Sequence, residues 1–238
     1  MPEPALIEAA GVHTHYGASH ILHGVDFAVR AGETVGLLGR NGMGKTTLLR
    51  TMLGLTRASR GEIRIRGRVA TREAPHRIAR AGIAFVPEGR GIFPNLSVRE
   101  NLVMAARAGV AGRREWTLER VLASFPRLAE RLGHGGAQLS GGEQQILTIG
   151  RALMTNPDLL ILDEATEGLA PLIARDIWAI VRTIRDSGIA SIIVDKNHAA
   201  VTQVADRAVI LVKGRAVFTG TSGELKAQPE LLQRHLGV

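Results

Sequence analysis

The sequence predicts an α/β fold built on a mainly parallel sheet. Three observations carry that prediction. An apolar run over 34–38 leads into Gly39-Arg40-Asn41-Gly42-Met43-Gly44-Lys45-Thr46 and then into a helix-forming stretch. Residues 159–162 are four aliphatics that end on Asp163-Glu164. The last third alternates strand-like and helix-like segments, the pattern of parallel strands joined by crossover helices.

At 238 residues and 45% hydrophobic, the chain can bury one sizeable core, which points to a single domain with a subdomain. Aromatics are only 3%, so that core is aliphatic and stacking surfaces for nucleic-acid bases are sparse. The net charge of +8 comes from scattered arginines and reads as solvated surface charge, so no nucleic-acid partner is expected. Cysteine is absent, which excludes disulfides, Cys-ligated zinc and iron–sulfur clusters on this chain. The start, Met1-Pro2-Glu3-Pro4, lacks a basic n-region and a long apolar core, so no signal peptide is expected. No stretch approaches the length of an apolar membrane span.

Along the first third, Val25, Phe27 and Val29 alternate with polar or small residues, as in a half-buried strand. Residues 34–38 read as a buried strand and 47–53 as a helix. The eight residues between them fit the pattern G-x-x-x-x-G-K-[ST], and strand–loop–helix is the context that pattern needs. Its glycines let backbone N–H groups turn inward around phosphate oxygens, and the helix N-terminus adds its positive dipole end. Lys45 is placed to reach β- and γ-phosphates, and the Thr46 hydroxyl to ligate Mg²⁺. Residues 62–67 alternate and end in a turn, and 83–86 form a short strand closed by Pro87.

The middle, from about 97 to 132, is helical, opening on the capping-box string Ser97-Val98-Arg99-Glu100 and broken at Pro126. Gly133-His134-Gly135-Gly136 is a loop. Leu139-Ser140-Gly141-Gly142-Glu143 follows, and Ser140-x-x-Glu143 is itself a capping box. A capped helix whose first turn carries two glycines is also an anion site. Residues 159–162 suit a parallel strand buried on both faces, with charge at its carboxyl end. Asp163 is placed to hold a Mg²⁺ shell, and Glu164 to take a proton from, or orient, an attacking water. Then come a helix over 172–185, a strand over 190–194, a helix to about 205, and a strand over 209–212. That strand turns at Lys213-Gly214 into 216–218.

Together these strings resemble the nucleotide-binding subunit of ATP-binding-cassette (ABC) transporters. The matches run in family order: Tyr16, the phosphate loop at 39–46, the signature at 139–143, the acidic strand end at 163–164, and Gly168-Leu169-Ala170-Pro171. Pro87-Glu88-Gly89-Arg90-Gly91-Ile92-Phe93-Pro94-Asn95-Leu96-Ser97-Val98 and Glu164-Ala165-Thr166-Glu167-Gly168-Leu169-Ala170-Pro171 further resemble the ATPases of branched-chain amino acid importers, the shorter of their two ATPase chains.

The resemblance implies a P-loop NTPase cassette: a mainly parallel sheet, an N-terminal antiparallel β part and a helical subdomain. One ATPase domain would fill 1–238, with its core in 1–87 and 157–238 and the Q-loop and helical signature part in 88–156. ATP and Mg²⁺ are the implied cofactors. Tyr16 would stack on adenine. Gly39, Asn41, Gly42, Gly44, Lys45, Thr46 and Thr47 would hold the phosphates. Thr46, Asp163 and Glu88 would serve the metal, and Glu164, Lys45, Glu88 and Lys196 the reaction. Ser140, Gly141 and Gly142 would meet ATP held by a second cassette, a paralogue or another copy. The further implied partners are two permease subunits and, indirectly, a periplasmic solute-binding protein. The implied place is the cytoplasmic face of a bacterial inner membrane.

Some positions depart from the family pattern. Glu88 stands where Gln is usual, Ala165 where Pro is common and Glu143 where Gln is common. Ten residues before the Asp of Ala205-Asp206, the place of the family's switch histidine, stands Lys196. His198 lies two residues on and reads as a plain helix-start residue. Three other readings compete: a lipid or lipopolysaccharide exporter ATPase, a soluble cassette ATPase of a cofactor-assembly machine, and a non-hydrolysing regulator. Intact Lys45, Thr46, Asp163 and Glu164 argue against the last.

Overall fold

The computed structural model describes residues 4–237, so Met1-Pro2-Glu3 and Val238 lie outside it. The strands are β1 (Ile7–Tyr16), β2 (Ser19–Val29), β3 (Thr34–Leu38), β4 (Ala58–Ile65), β5 (Arg68–Val69), β6 (Ile83–Val86), β7 (Leu159–Asp163), β8 (Ala190–Val194), β9 (Arg207–Val212) and β10 (Arg215–Thr221). The helices are α1 (Lys45–Met52), α2 (Pro75–Arg80), α3 (Val98–Val103), α4 (Leu118–Ser124), α5 (Pro126–Glu130), α6 (Gly141–Leu153), α7 (Pro171–Asp186), α8 (His198–Val204), α9 (Ser222–Lys226) and α10 (Pro229–Leu236). The chain forms two compact units, one from Met1–Ala81 with Ala190–Val238 and one from Gly82–Ile189.

The first unit holds an antiparallel sheet in the order β2-β1-β4-β5. It also holds the strands that seat the phosphate loop: β3 runs parallel to β8 on one side and to β9 on the other, with β10 antiparallel beyond β9. All five residues of β3 and of β8 are buried, as strands covered on both faces must be. Polar anchors fix the root of β3. Asp206 accepts from the Thr34 amide at 2.9 Å, and Arg207 Nε meets Glu33 Oε1 at 2.7 Å with both side chains mostly covered. A covered, hydrogen-bonded pair like this costs several kcal/mol to break from one side, about 3–5. The strand that launches the loop is therefore pinned at its start.

The second unit packs five helices with the parallel pair β6 and β7. β7 is buried through its last residue, Asp163. Pro126 splits the helical run as expected: α4 stops at Ser124 and α5 starts on the proline, whose missing N–H costs nothing at a first helical position. Close approach of the helices falls at Gly150 of α6, where a Cβ would stand 3.1–3.6 Å from Leu102, Val121 and Leu128 of α3, α4 and α5. Asn101, fully buried, holds the loop before α3. Its amide donates to the carbonyls of Phe93, Leu96 and Ser97, and its oxygen accepts from the Phe93 amide.

Candidate nucleotide site

The loop between β3 and α1 is shaped by its backbone. Gly39 has φ 144°, and a Cβ there would lie 2.4 Å from the Leu211 carbonyl oxygen, so β9 forms a wall directly behind the loop. Gly44, the N-cap of α1, sits at φ 101°, which a side chain would resist. No side chain caps α1 and its first turn holds no acid. Its leading amides thus face an end that carries positive dipole charge and has no side-chain acceptor. At Gly42 a Cβ would meet nothing within 4 Å, so the tip of the loop is open. Lys45, 7% exposed as a residue, spans the loop, its ammonium donating to the carbonyls of Gly39 (2.8 Å) and Arg40 (3.2 Å). Thr46 and Thr47 are half-buried on the first turn, and Asn41 is exposed. Open amides, room at the tip and a cation make a fitting cradle for a polyphosphate.

Tyr16 ends β1 with its ring exposed and its hydroxyl 3.3 Å from Thr56 Oγ1. It is an exposed aromatic at a hairpin turn, available for stacking. Lys196 is exposed in the turn between β8 and α8. His198 opens α8, as its sequence position suggests, but its surroundings are not plain. It is half-buried, and its Nδ1 has no hydrogen-bond partner among the described residues. Burial, then the charge of Lys45, hold its pKa below the ordinary value against the opposing pull of Asp195. That coupling to the loop lysine is invisible in the sequence.

In the second unit, Asp163 closes β7 at 1% exposure. Glu164 follows with φ 52°, a left-handed backbone that a glutamate adopts only when its surroundings hold it there. Carboxylate oxygens of Glu88, Glu164 and Glu167 all lie within 4.8 Å of one another. The first two are expected from sequence, but Glu167 is not. Its spacing three residues past Glu164 is the available signal. Carboxylates this close favour a bound cation or a shared proton. Asp163 is not in that trio. An all-oxygen set of carboxylates such as this trio is of the kind a hard divalent cation takes.

The signature turn starts α6. Ser140 is its N-cap, and the capping box closes: the Ser140 hydroxyl accepts from the Glu143 amide and the Glu143 carboxylate accepts from the Ser140 amide. Gly142 packs on α7, where a Cβ would come 2.3 Å from Ile173 Cγ2. Gly141 lies under the guanidinium of Arg90, whose atoms would stand 2.4–2.8 Å from a Cβ.

Strand, glycine loop and uncapped helix define a P-loop nucleotide-binding protein. The family model for ABC transporters matches residues 22–167. The chain is 42% identical over 226 residues to the high-affinity branched-chain amino acid transport ATP-binding protein BraG of Pseudomonas aeruginosa, covering 95% of this chain and 97% of that one. It is 36% identical over 228 residues to the Nod factor export ATP-binding protein I of Paraburkholderia xenovorans, covering 95% of this chain and 74% of that one. A solved ATP-binding subunit of an ABC transporter matches with TM-score 0.82 at 31% identity, over 98% of this chain and 96% of that one. The chain belongs to the ABC transporter family and is an ATP-binding, ATP-hydrolysing cassette.

Proposed function

We propose that this chain is the ATPase subunit of an importer for branched-chain amino acids, acting on separate permease subunits at the cytoplasmic face of a bacterial inner membrane. The end-to-end likeness to BraG supports this most: the match fills 95% and 97% of the two chains, whereas the Nod factor export relative extends well beyond this chain. No helix among the described residues is long and apolar enough to cross a membrane. The solute path then belongs to the permeases.

The proposed residue roles are those the family resemblance implies, and the local geometry supports the phosphate loop among them. Lys45 and the leading amides of α1 bind the β- and γ-phosphates, and Tyr16 stacks on the adenine. Thr46 and Asp163 hold Mg²⁺, and Glu88 supports its water shell. When bound, the cation neutralises charge on the transferring phosphoryl group. Glu164 accepts the proton of the attacking water, its carboxylate aimed by the left-handed backbone beneath it. Lys196 donates to the γ-phosphate as a point charge. Ser140, Gly141 and Gly142 engage the nucleotide of a second cassette, so ATP binding favours the closed pair and hydrolysis releases it. The whole chain serves as one ATPase domain, with 88–156 carrying the contacts to permease and partner.

The reading is tested by co-expressing the chain with branched-chain permeases, a second cassette and the solute-binding protein, and reconstituting the complex in liposomes. Leucine-loaded binding protein is expected to stimulate hydrolysis and drive uptake. Assembly with exporter permeases instead, or no stimulation, overturns it. In that complex Glu88→Gln is expected to keep ATP affinity while changing the amount of solute moved per ATP. Complete loss of ATP binding would instead make Glu88 a determinant of nucleotide affinity rather than a support for the metal's water shell.

A further inference from the structure

Four of the chain's eight histidines crowd one face of the β1–β2 hairpin, and neither the phosphate loop nor the signature turn uses them. In the antiparallel register His13 faces His23 and His15 faces His20. Thr14 and Leu22, which pair between them, are fully buried, so the imidazoles share the outer face. The His15 and His20 rings stack at 4.1 Å, and those of His20 and His23 lie 3.9 Å apart. His13 Nδ1 and His20 Nε2 point at each other across 3.0 Å.

We propose that this face is a binding site for a divalent transition metal of the zinc type. His13 Nδ1 and His20 Nε2 are its first two ligands, and His15 Nε2 reaches it by side-chain rotation. Zinc–imidazole bonds run ~2.0–2.1 Å, so a cation shared across the His13–His20 gap subtends roughly 95°. A further separation of about 0.3 Å brings that to the tetrahedral angle. The proton now between the two nitrogens moves to the far nitrogen of its own ring, which frees the lone pair that the metal takes.

Ser59 now holds His15: its single hydroxyl proton goes to the His13 carbonyl (3.1 Å), so its oxygen accepts at 3.0 Å from His15 Nδ1, and the rotation must draw His15 off both Ser59 and the His20 face. An all-nitrogen set favours zinc, nickel or copper over Mg²⁺. Arg60 and Arg215 oppose a cation nearby and limit how tightly it is held. The metal ties β1 to β2 just before the turn that carries Tyr16.

The full-length chain, stripped by chelator and kept free of nucleotide and Mg²⁺, is titrated with ZnCl₂ by calorimetry. Its unfolding midpoint is followed in parallel. One zinc per chain and a raised midpoint are expected. His20→Asn and His13→Asn should each weaken binding by at least about tenfold, while His76→Asn, an exposed histidine on α2, leaves it unchanged. Circular dichroism checks that each variant is folded. Equal zinc binding by the wild type and His20→Asn overturns the proposal, as does absence of saturable binding in the wild type. ATP binding is measured separately on the same samples, so the outcome is independent of the transport reading.

Discussion

Helices α1 and α6 both begin beside glycines, yet their first turns are completed in opposite ways. α1 has Gly44 as N-cap, no side-chain cap and no acid in its first turn, which opens on Lys45. α6 has Ser140 as N-cap, Glu143 closing a capping box, and Arg131 3.7 Å from that carboxylate. The first turn of α1 carries no acid of its own, whereas that of α6 carries Glu143. α1 can take a phosphate as it stands. At α6 the cap is already filled by the chain's own groups: the Ser140 hydroxyl accepts from the Glu143 amide and keeps only its own proton to offer a ligand.

The strongest way to challenge the contrast is to strip each end of its polar group. Lys45→Ala removes a buried cation from the loop, a change worth about 2–5 kcal/mol toward a bound anion. ATP affinity of the dilute single chain should fall by roughly 30-fold or more. Ser140→Ala should leave that affinity unchanged and instead cost about 0.5–2 kcal/mol of stability through the lost cap. Equilibrium binding of a fluorescent nucleotide, alongside urea unfolding, reads both quantities. Equal affinity losses in the two variants would erase the distinction between the open and the self-capped end.

A smaller effect separates the two glycines of the signature turn. At Gly142 a new Cβ meets the Cγ2 of Ile173 at 2.3 Å and its Cβ and Cγ1 at 3.2 Å, a β-branched side chain with little freedom to move. Gly142→Ala should therefore cost about 1–3 kcal/mol. At Gly141 the obstacle is the tip of Arg90, which can swing into solvent, so Gly141→Ala should stay within about 0.5 kcal/mol. Thermal unfolding of both variants decides it. If Gly141→Ala proves the more damaging, Arg90 is not a movable cover but a fixed part of the turn.

What is legible in the amino-acid sequence depends on how far apart the interacting residues lie along it. The phosphate loop, the Ser97 and Ser140 capping boxes, the break at Pro126 and the acidic end of β7 are local patterns, and each forms where its residues predict. β1 escapes a reading by alternation, because its pattern is interrupted by register shifts around Gly11 and near His13–His15. α2 has only six residues and little periodicity to detect. The nearness of Glu88 to Glu164 and Glu167, the coupling of His198 to Lys45, and the gathering of four imidazoles on one face all depend on tertiary placement or cross-strand pairing. Spacing alone carries none of these.

The smallest expected effect is a difference in how the two ends titrate. At α6, burial pushes the Glu143 carboxyl up, but hydrogen bonds from Ser140 and the charges of Arg131 and Arg127 outweigh it, leaving its pKa below 4.5. A carboxyl depressed by folding gives stability that is fully present above its unfolded pKa and lost as pH falls through the folded one. Near α1, His198 is depressed below 6.5 by burial and by Lys45. As pH drops under 6.5 the unfolded chain takes up that proton first, so stability is lost there too, but in a higher window. His13 and His23, also lowered chiefly by burial, titrate in the same range, so His198 accounts for only part of the loss. His198→Asn should flatten the fall in unfolding midpoint between about pH 7 and 5.5 and leave the fall below about pH 4.5 intact. Ser140→Ala should do the reverse. If both variants flatten the same window, the open end and the capped end are not electrostatically separate, and the contrast between them fails on its own terms.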